Sequence, residues 1–162
     1  MRFEHLIEIN DPQIPFLVSL TRQQVWDGLM VRVEDSRTFL PGLDECRILR
    51  RESEAANSSV GSVERLLRWG EVEVRDRVTF ETDVWVCFIT PPTDQHGGGQ
   101  LTITIEEPEP ERLFLRFEYE TAFATGHEVE DAGYEDYLKQ AYVAAGIDTV
   151  QRIRELATGQ PH

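Results

Sequence analysis

Between Asp44 and Ala122 the sequence consists of short strand-like runs that are divided by Gly, Pro and Asn. Turns this short join antiparallel neighbours, because a parallel pair needs a crossover connection of a dozen or more residues. The segment therefore predicts an antiparallel meander within a single domain that spans residues 1–162. The predicted strands are Glu45–Glu52, Ser62–Trp69, Val72–Phe80, Val84–Thr90, Gln100–Glu106 and Arg112–Thr121.

Other periodicities flank this meander. Alternating apolar residues from Phe3 to Ile9 predict one more strand at the N-terminal end. A capping-box pattern and helical apolar spacing predict a helix from Thr21 to Glu34, followed by one short turn. A further apolar stripe predicts a helix from about Tyr134 to Ala157, which at 1.5 Å per residue is about 36 Å long. The predicted fold class is α+β, with a seven-stranded antiparallel sheet and one long C-terminal helix across it.

The two-residue turn Gly70-Glu71 sets the register of one hairpin. On the outer face this register places opposite charges beside each other. A shift of one residue would turn the apolar side chains of the hairpin toward solvent. Arg65 and Asp76 then face each other inside an otherwise apolar surface. The inward pairs are Trp69 with Val72, Leu67 with Val74, Arg65 with Asp76 and Val63 with Val78, and the outer pairs are Arg68 with Glu73 and Glu64 with Arg77.

Two interpretations of the Arg65 and Asp76 pair stay open. Buried ionised groups cost several kcal/mol unless they are paired and hydrogen-bonded, so the pair needs a physical reason. It is either a self-satisfied buried ion pair or a polar anchor at the end of an apolar pocket. His5 projects from the inner face of the first strand and is a candidate third member, although a lone histidine on an apolar face is more often a core residue.

The last helix presents Ala141 and Ala145 to the predicted sheet. Small side chains facing a curved apolar sheet mean either a close approach of the backbones or a void. A void would be a ligand pocket of roughly 300–1,000 Å³ between the helix and the inner sheet face. The residues predicted to line or touch it are His5, Arg65, Leu67, Val74, Asp76, Val78, Ile103, Ile105, Leu115, Phe117, Leu138, Ala141 and Ala145.

Charge and cysteine content exclude several classes of protein. The formal net charge is -14, and residues 71–136 hold 17 acidic but only 4 basic side chains. Such a field repels phosphate backbones and anionic lipid, which disfavours nucleic acid and membrane surfaces as partners. No apolar run is long enough for a membrane span, and the first residues lack a signal-peptide pattern. With two cysteines, both predicted to be buried thiols, these features predict a cytoplasmic location.

Motifs for metals, cofactors and catalysis are missing from the sequence. The four histidines, His5, His96, His127 and His162, lack metal-ligand spacing. The run Gly97-Gly98-Gly99 opens no helix and therefore predicts a turn instead of a phosphate-binding loop. No nucleophile elbow is present, so the sequence names no catalytic residue, metal or cofactor.

Six stretches of the sequence match a known pattern: Phe3–Pro12, Leu20–Trp26, Pro41–Asp44, Val74–Val78, Thr104–Pro108 and Ile147–Val150. They resemble the AtaL-like family of small SRPBCC proteins, and the resemblance runs from about Phe3 to Leu156. It implies the helix-grip fold, in which a curved sheet wraps a long C-terminal helix around a hydrophobic ligand cavity. The same superfamily includes START lipid-transfer domains, birch-pollen-allergen-like proteins and aromatic polyketide cyclases. The resemblance implies no catalytic residues, and Gly146 stands where an acidic residue often occurs in the family.

Three functions follow from these features. The first is binding of a small, mostly apolar molecule, lipid-like or aromatic and polyketide-like, in the internal cavity. The second is a cyclase, dehydratase or isomerase in which Asp76 or His5 moves a proton, although an aspartate paired with arginine is a weak base. The third is a protein-interaction module that uses the acidic segment, for which a wide acidic surface without an internal cavity would be the evidence.

Overall fold

The structure is a computed structural model that describes residues 1–53, 59–93, 97–122 and 132–159. The elements fall in the predicted order, and most boundaries agree within two residues. Strand β6 is longer than predicted, because it continues past Glu106 through an irregularity in its pairing with β7. The elements are β1 Arg2–Glu8, α1 Arg22–Glu34, a single 3-10 turn Ser36–Thr38, β2 Glu45–Ser53, β3 Val60–Trp69, β4 Val72–Glu81, β5 Trp85–Thr90, β6 Gly99–Glu109, β7 Arg112–Thr121 and α2 Ala132–Thr158.

The strands form one antiparallel sheet in the order β1-β7-β6-β5-β4-β3-β2. Strands β2 to β7 follow the chain as a meander, and β1 closes against β7 at the far edge. The predicted seven-stranded antiparallel sheet, with α2 packed against its inner face, is confirmed. Neither α1 nor α2 is both long and apolar enough to cross a membrane, among the residues described.

The predicted hairpin register between β3 and β4 is also confirmed. Arg65 pairs with Asp76, and the other five predicted pairs are present as well. Gly70 has a φ of 58°, a backbone conformation that glycine adopts without the strain of a side chain. One inward-facing residue departs from the expected burial: Val72 lies beside the turn of the hairpin and is 61% exposed.

Helix α1 fills one end of the space that the sheet encloses. Its first turn carries the predicted capping box, in which Thr21 accepts from the Gln24 backbone and the Gln24 side chain accepts from the Thr21 backbone. The side chains of Val25, Trp26 and Leu29 are buried in the main apolar cluster together with residues from β3 to β7. A glycine on the same helix lets α2 pack closely, since a Cβ added at Gly28 would lie 2.8 Å from Ile153.

The face that α2 turns to the sheet differs from the predicted stripe. Ala141 and Ala145 are exposed, so the prediction that they face the sheet is wrong. Tyr142 and Gly146, one position further along, face inward instead. A Cβ at Gly146 would lie 2.7 Å from His5 Cε1 on β1, so glycine permits an approach that another residue at this position would block. The buried residues of the C-terminal half of α2 are Gly146, Thr149, Val150, Ile153 and Arg154.

The contact between Gly28 and Ile153 generates a stability prediction. Gly28→Ala should lower the free energy of unfolding, because overpacking costs about 1–3 kcal/mol and outweighs the gain of about 1 kcal/mol in helix propensity. In an Ile153→Ala background, which itself costs about 2–5 kcal/mol, the same change should become stabilising because the space is now empty. Urea midpoints of the four proteins measure both effects. The same sign in the two backgrounds would contradict this packing.

Candidate ligand-binding cavity

A cavity of about 310 Å³ lies between the C-terminal end of α1, the inner face of β3 to β7, and α2. Its volume is at the lower end of the range for small-molecule sites, and most of its lining is apolar or aromatic. The charged residues in its wall are Arg32, Arg65 and Asp76. The other lining residues are Ser36, Leu40, Leu67, Trp69, Phe88, Thr90, Gly98, Gly99, Gln100, Leu101, Tyr119, Thr121 and Tyr142.

Only some of the predicted pocket residues line this cavity. Arg65, Leu67 and Asp76 do so. A second group lies in the solid core, because the side chains of α1 pack against the inner face of the sheet there. The remaining residues are half-buried outside the lining or exposed. The core group is Val78, Ile103, Ile105, Leu115 and Phe117; Val74, Leu138 and His5 are half-buried; Ala141 and Ala145 are exposed.

Arg65 and Asp76 form a buried two-pronged ion pair. Arg65 Nε donates to Asp76 Oδ1 at 2.9 Å, and Nη2 donates to Oδ2 at 2.6 Å. The Arg65 side chain is 1% exposed and that of Asp76 is 4% exposed. The fork geometry supplies two charge-assisted hydrogen bonds, which is the arrangement that offsets the cost of removing both charges from water.

The third nitrogen of Arg65 joins this hairpin to α1. Nη1 donates to the carbonyl oxygens of Arg32 at 3.1 Å and Val33 at 3.0 Å, and to Ser36 Oγ at 2.9 Å. These carbonyls belong to the last turn of α1, where backbone acceptors have no partner within the helix and where a cation is favoured by the helix dipole. Every nitrogen of Arg65 therefore has an acceptor, which supports the structural interpretation of the pair.

Arg32 is a second buried guanidinium in the cavity wall, and its bonding is incomplete. Its Nη1 donates to Thr149 Oγ1 on α2 at 2.8 Å, while Nε is buried without a hydrogen-bond partner. The guanidinium carbon lies 5.0 Å from the ring centre of Phe88 and 5.9 Å from that of Phe39. Burial lowers the pKa of Arg32 to about 10, so the side chain still carries its charge at neutral pH.

Two tyrosines border the cavity beside these charges. The rings of Tyr119 and Tyr142 stack with their centres 3.9 Å apart, and the hydroxyls of Tyr142 and Thr121 are 2.6 Å apart. Burial raises the pKa of Tyr119 to about 12, while the nearby charge of Arg32 acts in the opposite direction. The Tyr119 hydroxyl therefore stays protonated at neutral pH and donates to the Tyr142 carbonyl at 3.4 Å.

His5 lies between the sheet and α2, outside the cavity lining. Its ring stacks on Phe117 with centres 5.1 Å apart, and Gly146 is against its edge. Burial lowers the pKa of His5, an effect that the Tyr142 carbonyl partly opposes. Nε2 is buried without a hydrogen-bond partner. These surroundings are those of a core histidine, with the neutral imidazole favoured.

Among the lining residues that the sequence analysis did not name, Arg32 lies on α1, Ser36 in the 3-10 turn and Tyr119 near the end of β7. Arg32 follows Val25 by seven and Leu29 by three positions, so helical spacing alone places it on the buried face of α1. Ser36 continues the same line one turn later. Tyr119 alternates with Phe117 along β7 and shares its inner face. The charge of Arg32 argued against burial, which is why the pattern did not single it out.

Metal binding finds no support in the part of the chain that the structure describes. There, no group of three or more His, Cys, Asp or Glu side chains is placed to hold a metal ion. His96, His127 and His162 lie outside the described residues. Both cysteines are free thiols, with Cys87 buried and Cys46 half-buried.

A curved antiparallel sheet, a long C-terminal helix and a cavity between them define the helix-grip fold. The chain belongs to the AtaL family, described as acetylaranotin biosynthesis cluster protein L, whose model matches residues 7–159. This confirms the resemblance seen in the sequence. No curated protein sequence matches the chain.

Solved structures with the same fold have little sequence identity to this chain. The di-domain aromatase/cyclase StfQ, from the steffimycin biosynthetic pathway, is 9% identical with a TM-score of 0.65; the match covers 98% of this chain but 51% of StfQ, so the chain spans about half of it. The Zhui aromatase/cyclase from Streptomyces sp. R1128 is 12% identical with a TM-score of 0.61, over 98% and 93% of the two chains. A START superfamily protein from Mycobacterium smegmatis is 11% identical with a TM-score of 0.64, over 96% and 98%.

The ion pair generates a stability prediction. Asp76→Asn should lower the free energy of unfolding by about 3–5 kcal/mol, because it leaves the buried charge of Arg65 without a counterion. Combining it with Arg65→Met should cost less than the sum of the two single changes, with a coupling energy of about 0.5–3 kcal/mol. Urea midpoints give the values. Additive losses would show that the two side chains do not act as a pair.

The half-buried His5 generates a pH prediction. Because the pKa of His5 is lower in the folded than in the unfolded protein, the unfolded state binds more protons below about pH 6.5. The free energy of unfolding should therefore fall as the pH decreases from 7.5 to 5.5. His5→Gln should reduce this slope, measured from urea midpoints at each pH. An equal slope in both proteins would contradict the neutral state assigned to His5.

Proposed function

We propose that this protein binds a small, mostly apolar molecule, lipid-like or aromatic and polyketide-like, in the cavity between its sheet and α2. The observation that carries the proposal is the cavity itself, whose apolar wall contains a few convergent polar groups at one end. The fold of START and SRPBCC proteins, which includes aromatase/cyclases among the solved structures, supports it further. A cytoplasmic location is part of the proposal, because both cysteines are free thiols.

The polar groups of the cavity favour binding over proton-transfer catalysis. A cyclase or dehydratase needs a base that can reach the substrate and is not already engaged. Both carboxylate oxygens of Asp76 are held by Arg65, and His5 lies outside the lining. The Tyr119 hydroxyl is protonated and so can donate a hydrogen bond, but it cannot serve as a base.

The acidic surface gives less support to a protein-interaction module. Many acidic side chains of the central strands are exposed, including Glu73, Glu118 and Glu120. Pairing with arginine reduces this charge locally, as between Arg2 and Glu120 and between Arg68 and Glu45. A partly open cavity lies beneath these strands, whereas the interaction hypothesis is best matched by a filled interior.

A cavity-filling variant tests the proposal. The uncharged dye N-phenyl-1-naphthylamine should bind the wild-type protein with increased fluorescence. Leu101→Trp, which places a larger side chain in the cavity wall, should weaken this binding by about tenfold or more, equal to about 1.4 kcal/mol. Ala141→Gln, on the exposed face of α2, should leave it unchanged. Equal binding by all three folded proteins, or none by the wild type, would contradict the proposal.

A further inference from the structure

Three charged side chains line the cavity, and their charges do not cancel. Arg65 is neutralised by Asp76 through the two-pronged pair, which leaves the positive charge of Arg32 without a counterion. No carboxylate of the described residues lies within 4.0 Å of the Arg32 nitrogens. The interior of this acidic protein therefore has a net charge of +1 at its cavity.

The position of Arg32 makes this imbalance significant. The residue is 8% exposed, so most of its hydration is lost. A buried cation without a counterion is strongly disfavoured, and the contacts with Phe88 and Thr149 compensate only part of the cost. Arg65, the other arginine of the cavity wall, has a different environment, because all three of its nitrogens have acceptors.

The free edge of the Arg32 guanidinium matches the edge that Arg65 uses. Arg65 holds a carboxylate through Nε and Nη2. In Arg32, Nη1 is engaged with Thr149, whereas neither Nε nor Nη2 has a hydrogen-bond partner among the described residues. Because Nε is sealed from solvent, a ligand in the cavity would contact this guanidinium through Nη2. A carboxylate is a suitable partner, because it accepts a charge-assisted hydrogen bond from such a nitrogen.

We propose that the molecule bound in the cavity is an apolar carboxylate whose negative charge pairs with Arg32. This rests on the proposed function and specifies its ligand class. The carboxylate lies at the α1 end, where Arg32 supplies the donor, and the apolar part lies against Leu67, Phe88 and Leu101. One negative charge brings the net charge of the cavity to zero, whereas a neutral ligand leaves Arg32 unpaired.

Competition between two ligands of equal chain length tests this inference. Decanoate and decan-1-ol are allowed to displace N-phenyl-1-naphthylamine at pH 8, where decanoate is ionised, and in about 150 mM salt, which screens the charge of the surface. The wild-type protein should prefer decanoate by about tenfold or more, as expected for a hydrogen bond to a charged group. Arg32→Met should abolish that preference while decan-1-ol affinity stays within about threefold.

Two further variants separate the charge of Arg32 from other effects. Arg32→Lys keeps a cation and should retain part of the preference. Arg50→Met removes an exposed arginine that pairs with Glu52 on β2 and should leave the preference unchanged. If Arg32→Met does not fold, the wild-type ratio and Arg32→Lys still decide the result.

The outcomes distinguish a failure of the role of Arg32 from a failure of the proposed function. Dye binding with no preference for decanoate in the wild type, or a preference that persists in folded Arg32→Met, overturns the role of Arg32 and leaves the proposed function standing. Failure of the dye, decanoate and decan-1-ol to bind overturns both the proposed function and the ligand class.

Discussion

The arrangement of the hairpin, α1 and the cavity depends on the hydrogen bonds made by the Arg65 side chain. This side chain joins β4, through Asp76, to the last turn of α1, through two carbonyl oxygens and Ser36. The hairpin therefore supplies donors to the last turn of α1, and the Arg32 side chain borders the cavity from that turn. A hydrophobic pair of similar volume could fill the space, but it would remove the donor to the Val33 carbonyl oxygen, whereas the Arg32 carbonyl oxygen would keep the Ser36 hydroxyl.

The space enclosed by the sheet is filled at one end and partly empty at the other, which explains the position of the cavity. Helix α1 packs Val25, Trp26 and Leu29 into one end, and the core there is solid. At the other end the 3-10 turn and α2 contribute fewer large side chains, and Arg32 and Tyr142 border the remaining space. A short helical insert between β1 and β2 thus determines how much of the interior is core and how much is available to a ligand.

The sequence predicted the fold better than it predicted the site. Alternation and turn residues are local signals, and the agreement of charges on one face with apolar residues on the other fixed the hairpin register, including Arg65 opposite Asp76. The inward face of α2 depends on contacts between distant elements. Its alanines suggested a void, whereas Gly146 and Tyr142 make the approach. Arg32 was missed because burial of a lone charge is rare, although its helical position indicated it.

The contact between His5 and Gly146 couples the residue types that are acceptable at two positions far apart in the sequence. A side chain on Gly146 would meet the imidazole ring, so a larger residue on the helix requires a change on β1. In relatives that have an acidic residue at this helix position, the inner face of β1 should therefore carry a smaller residue or one that forms a hydrogen bond with the carboxylate. Paired changes at these two positions would then record how the distance between sheet and helix has shifted within the family.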